Sequence, residues 1–219
     1  MKNFLITTAT AIALPLFALP AQAEKLVQVV IDHSGVLHDE HDPLGKSGFN
    51  DFLESFLADL ARANRRDRNS TRVVLISAVE PPHIIWAGTA ANFYRDGVRE
   101  GTVADLVAAP PNGCNNLIDA LSEVSANISL STADETNVYV ITSGVHSGPD
   151  CADLTQEAYI ELVEATDPAV IENLEHVASL VDTFSVHFLT AAQRRALISQ
   201  MDWQGAGIKL SAQGEESGL

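Results

Sequence analysis

The stretch LVQVVIDHSG, residues 26–35, sets a run of strand formers against an abrupt polar stop. Residues 26–31 are apolar and mostly β-branched apart from Gln28, the mark of a strand buried on both faces. Asp32 ends the run, and Gly35 supplies turn chemistry just beyond it. The continuation, VLHDEHD over 36–42, is dense in histidine and acid. A buried strand that opens into such a loop belongs to a parallel sheet, whose ligand sites lie beyond the carboxyl ends of its strands.

The pattern repeats along the chain. RVVLISAV (72–79) and HIIWAG (83–88) read as two strands separated by Pro81-Pro82. NVYVIT (137–142) and TFSVHFL (183–189) read as two more. Between them lie helical patterns. Phe49, Phe52, Leu53, Phe56, Leu57 and Leu60 recur at helical spacing within 49–63. Residues 89–108 look mainly helical, broken at Gly97 and Gly101, and 115–128, 154–165, 168–181 and 190–201 also read as helices. Strands alternating with helices predict a Rossmann-like α/β fold, with a mostly parallel central sheet and helices on both faces. The loops that matter are then 32–48, 110–116 and 143–153.

Residues 1–23 read as a secretory signal peptide: Lys2, an apolar run over 4–19, then the small residues Ala21 and Ala23 around Gln22. A single domain over 24–204 follows, and 205–219 reads as a flexible tail with one short edge strand at Ile208–Leu210. The expected location is periplasmic or secreted. The formal net charge of −16 opposes nucleic acid and anionic lipid, and no later stretch is apolar enough for a membrane span. Cys114 and Cys151 suggest one disulfide in an exported chain, with two free thiols as the alternative.

Three loops carry a family resemblance. Asp32-His33-Ser34-Gly35-Val36 resembles the Asp-x-Ser-x-Ser loop of von Willebrand factor A (VWA) domains. Gly113-Cys114-Asn115-Asn116-Leu117 resembles the family's second loop, Gly-Gly-Thr-Asn-Leu, and Thr142-Ser143-Gly144 its third, Thr-Asp-Gly. The resemblance covers about residues 25–200 and implies a VWA-type fold that binds proteins, in the family through Mg²⁺ or another divalent cation. Carried over, the metal positions are Asp32, Ser34, Asn115 and Ser143. Val36 replaces a serine ligand, Asn115 the threonine and Ser143 the aspartate. One carboxylate remains, which implies a weakened or lost cation site, since Mg²⁺ selects hard oxygen ligands. The resemblance also places both cysteines at one sheet edge, where a Cys114–Cys151 bond would pin two loops.

The same edge offers side chains for direct contact with an unidentified exported or envelope protein: His33, His38, Asp39, His41, Asp42 and His146. His38-x-x-His41 with its acids also suggests zinc, although the spacing matches no zinc signature. A second reading starts from Asp32-x-Ser34-Gly35-Val36-Leu37-x-Asp39, which resembles the first motif of haloacid dehalogenase-like phosphatases, with Asp32 as nucleophile. That family's general-acid aspartate is Ser34 here, and no acidic pair ends a later strand to hold Mg²⁺. No Gly-x-Ser-x-Gly elbow or glycine-rich phosphate loop is present. The sequence therefore favours a binding domain over an enzyme.

Overall fold

The computed structural model describes residues 25–34, 45–108, 114–148, 151, 161–162 and 164–215. Six strands form one sheet: β1 (Lys25–Ile31), β2 (Thr71–Ser77), β3 (His83–Thr89), β4 (Glu135–Ile141), β5 (Thr183–Leu189) and β6 (Ile208–Ala212). Their order is β3-β2-β1-β4-β5-β6. Every neighbouring pair is parallel except the β2–β3 hairpin, which is antiparallel. The helices are α1 (Gly45–Ala63), α2 (Ala90–Asn92), α3 (Thr102–Ala108), α4 (Leu117–Leu130), α5 (Pro168–Ala178) and α6 (Ala191–Gln200). A π-helical stretch, Phe93–Arg99, continues α2.

The expected mostly parallel α/β sheet is the observed one, and the period-two alternation of its strands builds two cores. On β1, Leu26 and Val30 enter one core with α4 and α5, while Val27, Val29 and Ile31 enter the other with α1. β2 divides in the same way: Val74 and Ile76 against Val73 and Leu75. Both faces of the central strands are thus dry, which is why they read as nearly continuous apolar runs. Phe49, Leu53, Phe56, Leu57 and Leu60 of α1 are all essentially inaccessible, so the helical spacing marks the buried face.

β5 breaks the alternation. Phe184 and Val186 face the α4–α5 core, but Phe188 lies in the α1 core and Leu189 returns to the first. Phe188 has φ +68°, a costly backbone for a bulky side chain, and the pairing with β6 shifts register between Val186 and Leu189. The bulge puts His187 and Phe188 on the same face. His187 packs on Phe56 with ring centroids 5.1 Å apart, and Phe188 meets Phe49 edge-on at 5.3 Å.

Two expected elements need comment. The short edge strand expected at Ile208–Leu210 is present as β6, which runs parallel to β5 and extends two residues further, to Ala212. Its pairing satisfies backbone groups that a loose tail would leave to water. Of the helix expected over 154–165, only Glu161, Leu162 and Glu164 fall among the described residues as helix. Residues 1–23 lie outside the described residues. Among the described residues no helix is long and apolar enough to cross a membrane.

Candidate functional site at the carboxyl edge

β1 delivers Asp32 to the carboxyl edge, where three loops converge on its carboxylate. The Ser34 amide donates to Oδ1 at 3.2 Å. Oδ2 accepts from Asn115 Nδ2 at 2.8 Å and from the Thr142 hydroxyl at 2.9 Å. Asp32 is fully buried. Burial pushes its carboxyl above the ordinary carboxylate range, and hydrogen bonds from Ser34, Asn115 and Thr142 pull the other way without cancelling it.

Asn115 is the hub of this edge. Its Nδ2 also donates to the Val145 carbonyl, while its Oδ1 accepts from the Ser147 amide at 2.7 Å and the Ser147 hydroxyl at 3.2 Å. Its backbone amide donates to Ser147 Oγ at 2.9 Å, and the residue bridges Val79 beyond β2. Every polar atom of the Asn115 side chain is therefore spent on tying loop to loop. Ser143 stands apart from the carboxylate: its Oγ accepts from the Val145 amide at 3.2 Å. The buried Ser34 Oγ has no hydrogen-bond partner among the described residues.

The donor set does not fit a divalent cation. Asp32 is the one carboxylate among the four metal positions, and its Oδ2 faces two hydrogen-bond donors. Asn115 turns its N–H groups, not its oxygen, toward the carboxylate, and that oxygen is already occupied by Ser147. Ser143 Oγ is engaged within its own loop. Among the described residues no group of three or more histidine, cysteine, aspartate or glutamate side chains is placed to hold a metal ion. The phosphatase-like alternative meets a similar obstacle, since both Asp32 oxygens are engaged and the side chain has no accessible surface.

The histidines divide. His33, expected on the partner-facing surface, is instead buried, its ring 6.0 Å from that of Phe49, because it follows a strand whose alternate residues feed the α1 core. His146 is half-buried, and its Nδ1 accepts from the Leu117 amide at 3.3 Å, so it satisfies the first turn of α4. Burial holds its imidazole below the ordinary range despite Asp167, Asp32, Asp119 and Glu80 nearby. His38, Asp39, His41 and Asp42 lie outside the described residues. Cys114 and Cys151 form a disulfide, which joins the second loop to the chain beyond the third.

Thr142 and Ser147 complete the network, and neither stands out in the sequence as a partner for Asp32 or Asn115. Asn116 could have been found. It caps α4 by accepting from the Asp119 amide at 3.0 Å, and its Nδ2 donates to Glu80 and Asp119 at 2.8 Å each. An Asn followed three residues later by an acid, ahead of Leu117 and Leu121, is a helix-start signature. Gly144 has φ +87°, and a Cβ there would sit 2.8 Å from both Gln193 Cβ and Leu189 Cδ2, so glycine alone permits this turn.

No family model matches the chain, and no curated protein sequence matches it. Solved structures do. The pilus adhesin SpaC from Lactobacillus rhamnosus GG aligns with 88% of this chain and 29% of its own, at TM-score 0.56 and 14% identity. The PilB minor pilin from Streptococcus sanguinis aligns with 90% of this chain and 59% of its own, at TM-score 0.54 and 14% identity. The SpRpn10 VWA domain covers 86% of this chain and 87% of its own, at TM-score 0.49 and 8% identity. The chain spans less than two thirds of each pilus protein. Identities this low show the fold alone, an α/β fold with a six-stranded, mostly parallel sheet.

Proposed function

We propose that this chain is an exported protein-binding domain that works through the carboxyl edge of its sheet by direct side-chain contacts, with no bridging cation. The observation that carries the reading is the Asn115 amide, which donates to the carboxylate that a cation would otherwise need. Internal donors from Asn115 and Thr142, together with the Cys114–Cys151 bond, hold the three loops in the organising role a metal has in the family the motifs resemble. Fold likeness to a pilus adhesin and a minor pilin, the disulfide and the signal-like start support export and protein binding. Direct contact falls to His38, Asp39, His41 and Asp42, between β1 and α1 in the sequence.

The cation half is tested by melting temperature with EDTA and then with millimolar Mg²⁺, Ca²⁺ or Mn²⁺, since a ligand of the native state alone must raise stability by mass action. No shift is expected. A rise with Mg²⁺ or Mn²⁺ that vanishes in Asp32→Asn would overturn the metal-free reading. The binding half is tested by alanine replacement of His38, Asp39, His41 and Asp42 together, scored by capture of envelope proteins. Undiminished capture by a variant that melts normally would remove that segment from the interface.

A further inference from the structure

A second surface lies at the other end of the sheet, where α1 turns into β2 and β3 leads into α2. Residues 62–72 hold five of the chain's nine arginines, Arg62, Arg65, Arg66, Arg68 and Arg72, with Asp67 as the only acid among them. The local charge is +4, five cations less one acid, in a chain of net charge −16. All five arginines are exposed. Arg62 is paired with Asp59 at 2.6 Å. Among the described residues no ion pair engages Arg65, Arg66, Arg68 or Arg72. Clustered cations repel one another, and an anion from elsewhere relieves that cost.

The surface is also shaped. Arg62, Arg65 and Arg68 edge a depression of about 370 Å³. Its remaining lining is apolar or aromatic: alanines 58, 61, 90 and 91, and Tyr94, which is 49% exposed. A second depression of about 360 Å³ lies between the strand ends at Asn69–Arg72 and Ala87–Thr89. The two adjoin where the Ala91 amide donates to the Arg68 carbonyl at 2.9 Å. Together they form a track with cations at its edge, lined by small apolar side chains and Tyr94 in the first depression and mainly by polar residues in the second. Arginine pairs bidentately with carboxylates, and tyrosine and arginine are the residues that dominate protein interfaces.

We propose that this track is a docking site for an extended acidic segment of a partner protein, whose carboxylates meet Arg65 and Arg68 while an apolar side chain enters the depression beside Tyr94. Charge complementarity selects the occupant. A long uniform polyanion would carry its charge past the arginines onto an acidic molecule, whereas a short acidic segment confines it to the track. The site uses neither Asp32 nor the loops of the carboxyl edge.

The test is fluorescence anisotropy of the full chain with a fluorescein-labelled octapeptide of alternating glutamate and leucine. Saturable binding is expected, weakened roughly tenfold in Arg65→Ala/Arg68→Ala and also lowered by added salt. The charge-reversed Arg65→Glu/Arg68→Glu is expected to lose this peptide and gain one of alternating lysine and leucine. Circular dichroism melts that overlay the parent confirm that the variants are folded. Absent binding, or equal binding by folded alanine and charge-reversed variants, would overturn the proposal. So would arginine-dependent binding of oligothymidylate or of phosphatidylserine vesicles in preference to the peptide.

Discussion

Asp32 and Arg68 lie at opposite ends of the same sheet, and the chain treats the two charges in opposite ways. Asp32 is sealed from water, and its carboxylate accepts three hydrogen bonds from three loops. Arg68 is exposed, and no ion pair among the described residues holds it. A buried polar group must be satisfied from within, so the carboxyl edge is a closed network in which each removal orphans a partner. An exposed arginine is satisfied by water and is available for exchange. The comparison separates side chains that hold the fold from those that can meet a partner.

The largest effect expected at the closed end comes from the disulfide. Cys114→Ser/Cys151→Ser frees a loop spanning 37 residues and should cost about 4 kcal/mol of unfolding free energy by chain-entropy reasoning, read from urea titrations. A loss below about 1 kcal/mol would mean the hydrogen bonds alone constrain the edge. Asn115→Ala comes next, at about 3 kcal/mol, because it strips donors from Asp32 and Val145 and an acceptor from Ser147. If the variant melts like the parent, the hub is not Asn115.

Acid sharpens the contrast within the closed end itself. His187 is hydrogen-bonded to Ser185 and Ser211 at 2.8 Å each, and burial with Lys209 nearby pushes its pKa down to about 4. Its neutral form is the native one, so stability is lost as pH falls from about 6.5 toward 4, by about 3 kcal/mol. Asp32 acts with the opposite sign. Its raised pKa means the protonated carboxyl is favoured in the native state, so its contribution is full below the unfolded pKa near 4 and is lost as pH rises through the folded value. Stability measured against pH should therefore flatten on the acid side in His187→Asn and lose its opposing slope in Asp32→Asn. An unchanged acid limb in His187→Asn would place the responsible proton elsewhere.

Gly144→Ala should cost about 2 kcal/mol, from positive φ and from crowding against Gln193 and Leu189, as read from thermal melts. At the open end, Arg65→Ala/Arg68→Ala should shift stability by no more than about 0.5 kcal/mol. A large loss there would erase the contrast and make the arginines structural.

The sequence carried the layer order better than the site. β1, β2 and β5 were legible because strands buried on both faces cannot hide their apolar runs, and α1 because its phenylalanines recur at helical spacing. The bulge at Phe188 was not legible: TFSVHFL alternates plausibly to its end, and only packing reveals that His187 and Phe188 share a face. The place of Asp32 at the carboxyl edge was readable from its position after β1, but as a metal position or a nucleophile rather than as the acceptor that ties three loops. The use of Asn115 was not, because an amide offers a donor and an acceptor and composition does not say which is turned inward. His33 misled for a related reason: a histidine in a polar stretch reads as exposed, whereas here the strand's alternation carries it into the α1 core.

The position of β1 in the sheet also bears on how the chain reaches this state. The first strand in sequence is a central one, paired through Lys25 with Thr71 on one side and with Glu135 on the other. Neither edge of β1 can close until those later segments have been made. Contacts of such long sequence separation slow folding, because loop closure must precede the pairing that rewards it. A nascent chain ending before β4 would therefore hold its most apolar strand with one side open, and commitment to the native sheet waits for the second half of the polypeptide to emerge.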